Sequence, residues 1–247
     1  MRRLLPLMAL CLVACSRPPP ELLRVDPARF SMGSAEDEVG RDADEALHDV
    51  TLSRSFRIGR TEVTRREWKR VMGRPAPGRD SWGDEHPATV SWLDALRYCD
   101  RRSQLEGLQP AYRWPSPTEP TWNRDADGYR LPTEAEWALA ARGEGGALAA
   151  RAWCGDVDAP SPQPVGLKAA NPRGLHDTIG NVEEWVFDRY AALPSSPQLD
   201  PVGPPTGALR VARGGSYSDD ERHCRTADRS AFEPDRQLDS LGFRVAR

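Results

Sequence analysis

The sequence predicts a single, loop-rich domain with helices and short strands, rather than a helical bundle. Its 247 residues fit one large domain or two small ones, and no internal repeat or second domain is evident. They include 23 prolines, 20 glycines and 8 tryptophans. So many turn-forming residues beside so many large aromatic side chains indicate long connections held in place by buried indole rings.

The charge balance excludes several classes of protein. Lysine and arginine number 34 against 37 acidic residues, which gives a formal net charge of −3. Hydrophobic residues make up 38% and charged residues 29% of the chain, which argues against a membrane-spanning protein and against a disordered acidic tail. Proteins that bind nucleic acid usually carry a basic excess or stripe, so we expect no nucleic-acid partner.

The first residues resemble a bacterial lipoprotein signal. Arg2 and Arg3 precede an apolar run over residues 4–13, which is too short to span a bilayer as a mature helix. The run ends in Leu-Val-Ala immediately before Cys15. This order is similar to a lipobox, in which the cysteine is lipidated after cleavage.

We therefore predict a signal peptide over 1–14, a lipidated Cys15 with a proline-rich tether over 15–22, and a folded domain over 23–247. Consecutive prolines favour the extended polyproline II conformation, which makes the tether stiff. Ser16 follows the cysteine, and for such lipoproteins this favours the outer membrane. We expect a location on its periplasmic face, with the lipid anchor as the membrane attachment.

Three segments carry signals that start a helix. Each has a hydroxyl side chain followed three residues later by an acid. This is the pattern of a capping box, in which each of the two side chains accepts a hydrogen bond from the backbone amide of the other residue. The capping residues are Thr64, Ser91 and Thr133, and the glycines expected beyond the helices are Gly73, Gly107 and Gly143.

Strands are expected to be short and widely separated. The candidate strands cover 50–52, 56–58, 210–212 and 243–246. Long segments of little periodicity lie between the elements, at 74–88, 144–178 and 191–207. So much irregular chain is unusual in a folded domain, and we expect the tryptophans and a metal ion to hold it.

Eight short motifs occur in the order typical of one family. They are FSMGS at 30–34, RTEVT at 60–64, HPATVSWLDA at 86–95, GYRLPTEAEW at 128–137, GLHD at 174–177, GNVEEW at 180–185, RGGS at 213–216 and GFR at 242–244. This series resembles the formylglycine-generating enzyme (sulfatase-modifying factor) family. The resemblance covers essentially residues 25–247.

The resemblance implies an α+β fold: one formylglycine-generating-enzyme-like (C-type-lectin-like) domain with little regular secondary structure. Active members of the family oxidise a cysteine of a partner sulfatase to formylglycine, using oxygen and a copper(I) ion held by two thiols. Other members make sulfoxides or mature siderophores, or have no assigned reaction. The resemblance thus implies a sulfatase-like or other envelope protein or peptide as the partner.

The thiol pair that the resemblance implies for copper(I) is incomplete. The family has two cysteines five positions apart after its Gly-Gly-Ser turn, whereas here Asp219 stands at the first position and Cys224 at the second. A carboxylate is a hard oxygen donor and a poor ligand for copper(I). We therefore expect a peptide- or partner-binding module, with formylglycine-generating oxidation or another oxidation as the alternative. Cys224 and Ser216 are the catalytic candidates.

The cysteines leave further alternatives open. Cys224 is either a catalytic thiol or a small buried residue, since free cysteine is among the most buried residue types. Cys99 and Cys154 have the option of a disulfide bond, but connectivity does not follow from sequence alone.

A calcium site is better preserved than the copper site. By the resemblance, Asp177 and Glu184 would provide side-chain oxygens, and Gly180 and Val182 would provide backbone carbonyls. These are the hard oxygen ligands that calcium prefers. Glu183 replaces the tryptophan that is usual in the family. The alternative interpretation is a polar turn without an ion.

Two charged segments are expected to lie on the surface. The first is an acidic run over 36–49, which lacks the residue order of a dedicated calcium loop. The second places arginines near the family's catalytic position, where they would either clamp an anion or pair with neighbouring aspartates. These arginines are Arg222, Arg225, Arg229 and Arg236.

Overall fold

The fold consists of small sheets and short helices that are joined by long loops. The computed structural model describes residues 21–79, 81–143, 147–155 and 159–247, so the predicted signal peptide and Cys15 lie outside the described residues. The elements in chain order are β1 (Leu22–Val25), β2 (Ala28–Met32), β3 (His48–Leu52), β4 (Phe56–Gly59), α1 (Arg65–Met72), α2 (Trp92–Leu105), β5 (Tyr112–Ser116), β6 (Glu119–Trp122), α3 (Glu134–Ala141), α4 (Leu148–Arg151), β7 (Glu183–Arg189), β8 (Gln198–Leu199), β9 (Arg210–Arg213), β10 (Arg229–Phe232) and β11 (Leu241–Gly242).

The largest sheet lies in the C-terminal half, with strand order β10-β9-β7-β11. Its pairs are antiparallel except for β11, which runs parallel to β7. A second sheet has the order β2-β3-β8, and the pairs β1-β4 and β5-β6 form two further ribbons. Among the described helices, none is long and apolar enough to cross a bilayer.

The helix predictions are confirmed. Thr64 and Thr133 close capping boxes with Glu67 and Glu136, as the spacing predicts. Ser91 makes only half of the expected box, accepting from the backbone amide of Asp94. The Asp94 carboxylate instead accepts a hydrogen bond from the guanidinium of Arg97 at 3.0 Å, which removes it from the cap.

Buried indole rings form the centre of the core, as the composition predicts. The side chains of Trp68, Trp92, Trp137 and Trp185 are all fully buried. The Trp92 indole donates to the carbonyl of Val186, and the Trp185 indole donates to the carbonyl of Val90, both at 2.9 Å. This reciprocal pair joins the start of α2 to β7, so the central strand and the longest helix are fixed to each other.

The strand predictions are confirmed in part. Strands are present at 50–52, 56–58 and 210–212, within β3, β4 and β9. The strand expected over 243–246 is wrong: the regular pairing is at β11, and Ala246 makes only isolated bridges to Ile58 and Arg130. The backbone here lies between β4 and Arg130: the amide of Gly59 donates to the carbonyl of Val245, and Ala246 and Arg130 exchange backbone hydrogen bonds.

Candidate functional site

The turn after β9 contains the residues that occupy the family's catalytic position. Gly214 and Gly215 have φ values of 96° and 64°, in the left-handed region that favours glycine. A Cβ atom on Gly215 would lie 2.6 Å from the carbonyl oxygen of His223. Glycine is therefore required here, and it lets the chain fold back so that Ser216 lies beside Cys224.

Asp219 holds this turn together. Its Oδ2 atom accepts hydrogen bonds from the backbone amide and from the hydroxyl of Ser216, both at 2.8 Å. Ser216 is almost fully buried, and its hydroxyl also contacts that of Ser218 at 3.0 Å. The carboxylate at the first cysteine position thus has a structural task that a thiol performs poorly.

Cys224 is joined to Cys154 by a disulfide bond that spans 70 residues of sequence. The bond ties the turn after β9 to the segment that follows α4. The alternative bond between Cys99 and Cys154 is therefore wrong. Cys99 is a free, buried cysteine on α2, and burial raises the pKa of its thiol well above the ordinary value.

The residues at this position do not fit the copper(I) ion that the resemblance implies. Two thiolates are needed, but Asp219 is a carboxylate bonded to Ser216 and Cys224 carries no thiol. The catalytic assignment of Cys224 and Ser216 stays a prediction, and it requires prior reduction of the disulfide bond.

The acidic run packs onto the site loop, so the prediction of a solvated surface is wrong for its central residues. Glu45 is fully buried, and the guanidinium of Arg225 donates to it at 2.6 Å and to Glu38 at 2.7 Å. Asp44 pairs with Arg229 at 2.9 Å. Long-range pairing between the two charged segments offsets the cost of burying them, and sequence spacing does not reveal it.

Most arginines of this segment are therefore already paired with acidic side chains. Arg229 makes a bidentate pair with Glu134 at 2.6 and 3.0 Å, in addition to its contact with Asp44. Arg222 is an exposed side chain that pairs with its neighbour Asp220. These contacts support the structural interpretation of the arginines rather than an anion clamp at this loop.

The predicted calcium ligand Glu184 serves as the partner of a buried arginine. The guanidinium of Arg244 donates to both of its carboxylate oxygens at 2.5 Å, and the Trp137 indole donates to Oε2 at 2.9 Å. Arg244 and Glu184 are both buried completely or nearly so. Both oxygens of Glu184 are thus engaged within the protein.

Asp177, another predicted calcium ligand, has a buried oxygen without a hydrogen-bond partner among the described residues, and so does Glu62. These atoms are Asp177 Oδ1 and Glu62 Oε2. The other oxygens accept from the backbone of Gly166 at 2.6 Å and from the side chain of Asn181 at 2.9 Å. A buried carboxylate oxygen left unpaired is costly, unless a proton or a cation occupies the site.

The pKa values of these carboxyls also indicate that bare, charged carboxylates are unfavourable here. Burial, and then the proximity of Asp177 and Glu184, raise the pKa of Glu62 well above its usual value. Burial likewise raises the pKa of Asp177. Hard oxygen donors of this kind fit calcium, with Glu62 as a neighbour that the sequence alone did not suggest. The sequence feature that could have indicated Glu62 is its position within the RTEVT motif.

Glu183 replaces a tryptophan of the family and is itself buried. Burial raises its pKa to about 8, and the negative charges of Asp219 and Asp228 act in the same direction. A carboxyl therefore lies close to Asp219 of the turn, in place of the indole that the resemblance implies.

Comparison with known proteins identifies the family. The model of the sulfatase-modifying factor enzyme 1-like domain matches residues 11–247. The chain belongs to this family. It therefore has the α+β fold of formylglycine-generating-enzyme-like domains, as the motifs predict.

Individual relatives differ in their named roles. The chain is 31% identical to the chaperone protein LppX of Paenibacillus barcinonensis, over 81% of this chain and 82% of that protein. It is 36% identical to the formylglycine-generating enzyme of Streptomyces coelicolor, over 71% of this chain but only 54% of that enzyme. The chain thus spans about half the length of that enzyme.

Solved structures show the same fold. Treponema denticola variable protein 1 matches with a TM-score of 0.79 at 28% identity, covering 91% of this chain and 94% of that one. PvdO from Pseudomonas aeruginosa matches with a TM-score of 0.74 at 26% identity, covering 92% and 94%.

The disulfide bond generates a prediction for Cys154→Ser. Breaking a bond between distant segments should lower the free energy of unfolding by about 2–4 kcal/mol, measured by urea titration without reductant. A thiol count on the denatured, unreduced protein should rise by one, because Cys224 is released.

Reduction provides the control. Wild-type protein should lose the same stability when a dithiol reductant is added, whereas Cys154→Ser should not respond. If Cys154 were free in the native protein, the thiol count of the variant would fall by one instead.

Proposed function

We propose that this chain is a partner-binding module that has kept the family's fold and lost its copper oxidation. The observation that carries the proposal is the rebuilt catalytic position, where Asp219 caps the turn and Cys224 is bonded to Cys154. Function resides in the site rather than the fold, so a domain without the thiol pair is not expected to perform the family's oxidation.

The similarity to a protein named as a chaperone supports a binding role. That similarity extends over most of both chains, whereas the formylglycine-generating enzyme is matched over about half of its length. The alternative is an oxidase acting on a sulfatase cysteine or a related substrate. It is favoured by the complete order of family motifs, and it needs the thiol of Cys224.

A cavity of about 430 Å³ beside the segment that follows β7 suits a partner's apolar side chain. Alanine, proline and aliphatic side chains supply much of its wall, including Ala192, Leu193, Pro194, Pro201 and Val202. The wall also carries charged side chains, among them that of Asp188, and cavities of this size that combine apolar and polar groups are typical of ligand sites. We therefore place the binding of a partner peptide here.

The domain is proposed to be anchored by lipid and to bind calcium. Lipid attached to Cys15 would hold the domain on the periplasmic face of the outer membrane, where the tether gives it reach toward envelope proteins. Calcium would bind at Asp177, near Glu62 and the backbone of Gly180 and Val182. The ion would neutralise buried carboxylates and stabilise the loop that supports β7.

The loss of oxidase activity is tested directly. The purified chain is incubated with copper(I), oxygen, a Cys-x-Pro-x-Arg peptide and ascorbate, which supplies the two further electrons needed to reduce oxygen to water and leaves the disulfide bond intact, and the mass of the peptide is followed over time. We expect no aldehyde, because no thiol pair is present. Conversion of the peptide to the aldehyde would refute the binding-module proposal and establish the oxidase.

Calcium binding is tested by thermal unfolding of the metal-free protein. Calcium should raise the Tm of the wild type and leave Asp177→Asn unchanged, since a ligand that binds only the native state stabilises it by about 2.7 kcal/mol at 100 times its Kd.

The exposed Asp26→Asn substitution is the matched control and should keep the calcium response. Magnesium should give a smaller shift, because it demands a tighter octahedral shell. A wild-type Tm that ignores calcium would contradict the assignment.

A further inference from the structure

A basic cleft lies next to the apolar cavity, on the other side of Asp200 and Pro201. Its volume is about 200 Å³, and Asp200 and Pro201 line both spaces. We call it the arginine cleft. The charged side chains that line it are Arg54, Arg124, Arg130, Arg247, Glu136 and Asp200.

Both acids of the arginine cleft are already engaged. Glu136 accepts a bidentate pair from Arg130 at 2.5 and 2.7 Å and also caps α3. Asp200 accepts from the backbone amide and the hydroxyl of Ser53, at 2.7 and 2.6 Å. Burial raises the pKa of Asp200, but these hydrogen bonds outweigh it and the net shift is downward, so this carboxylate stays ionised.

Arg54 and Arg124 keep their hydrogen-bonding capacity for a ligand. Within the described ranges, neither guanidinium makes a hydrogen bond or a salt bridge, although both act on Asp200 electrostatically. Arg247 uses its Nε for the carbonyl of Asp127. Once the Arg130–Glu136 pair is set aside, the lining keeps three guanidinium groups and one side-chain carboxylate, which leaves an excess of positive side-chain charge.

Trp122 orients the guanidinium groups at the wall of the arginine cleft. The guanidinium carbons of Arg124 and Arg130 lie 5.4 and 5.1 Å from the ring centroid of Trp122. The indole itself packs against Phe187 at 5.0 Å, which ties it to the core. Cation–π contacts of this kind reduce the freedom of the arginine, so less entropy is lost when it binds an anion.

We propose that the arginine cleft binds an acidic side chain of a partner peptide whose apolar neighbour enters the adjacent cavity. Guanidinium groups match carboxylates in a planar, bidentate geometry, which provides direction as well as charge. The shared wall at Asp200 and Pro201 puts the two subsites within reach of one extended peptide. This inference rests on the proposed binding function and names the chemistry of the partner.

The charge of the whole chain makes this local excess informative. The net charge of −3 provides no general attraction for an acidic peptide. Binding of an anionic segment at the arginine cleft therefore depends on local complementarity rather than on general attraction, and such complementarity contributes specificity and association rate.

The test uses the full chain and fluorescence anisotropy with a labelled Gly-Leu-Glu-Glu-Leu-Gly peptide. We expect saturable binding that weakens with added salt, as screening predicts. The Arg54→Gln/Arg124→Gln double variant should bind at least about tenfold more weakly. Both side chains are exposed, so the variant should unfold at the same temperature as the wild type.

Two controls separate the cleft from charge in general. Arg101→Gln also removes an exposed arginine, but it lies outside the cleft and should leave binding unchanged. The Gly-Leu-Gln-Gln-Leu-Gly peptide should bind at least tenfold more weakly to the wild type. Absence of binding, equal binding of the glutamine peptide, or unchanged binding by the double variant would each overturn the proposal.

The two assays separate an error about the arginine cleft from an error about the proposed binding function. The absence of peptide oxidation together with no acidic-peptide binding would refute the arginine cleft alone. Oxidation of the Cys-x-Pro-x-Arg peptide would refute the binding module whatever the anisotropy shows.

Discussion

The buried ion pair between Arg244 and Glu184 is the constraint on which the rest of the domain depends. One guanidinium bonds to both oxygens of Glu184 and also donates to the carbonyls of Gly59 and His176. It therefore connects β7, the end of β4, the loop before β7 and the C-terminal segment. Removing one partner of such a pair costs about 3–5 kcal/mol, because the other charge stays buried without compensation.

The same ion pair explains why so much irregular chain can fold. Loops cannot rely on a continuous ladder of backbone hydrogen bonds, so side chains must satisfy the buried carbonyls. Arginine does this for several segments at once, and the reciprocal indole bonds of Trp92 and Trp185 do it between α2 and β7. The fold is thus held by long polar side chains at a few crossing points.

Asp219 and Cys224 stand where the resemblance implies a thiol pair, and both make structural contacts there. Asp219 stabilises the turn through Ser216, and the disulfide bond of Cys224 anchors that turn to the segment after α4. The acidic run covers the loop from the other side through Arg225. These contacts compete with any role of the same atoms in metal binding. The cavities near Asp200 are therefore the proposed binding sites.

Sequence patterns predicted the family, the capped helices and the buried tryptophans, because each has a local or ordered signal. They did not predict β7, since its buried acids Glu183, Glu184 and Asp188 break the alternation expected of a strand. They also missed the partner of Cys154 and the burial of Glu45. Those depend on residues 70 and 180 positions away, and no local rule contains such distances.

The absence of a thiolate copper site is tested by the number of copper(I) ions that the unreduced native chain binds, measured by competition with a copper(I) chelator. No tightly bound copper is expected, because Asp219 and the bonded Cys224 supply no thiolate. One tightly bound ion per chain would contradict this expectation and restore the oxidase interpretation.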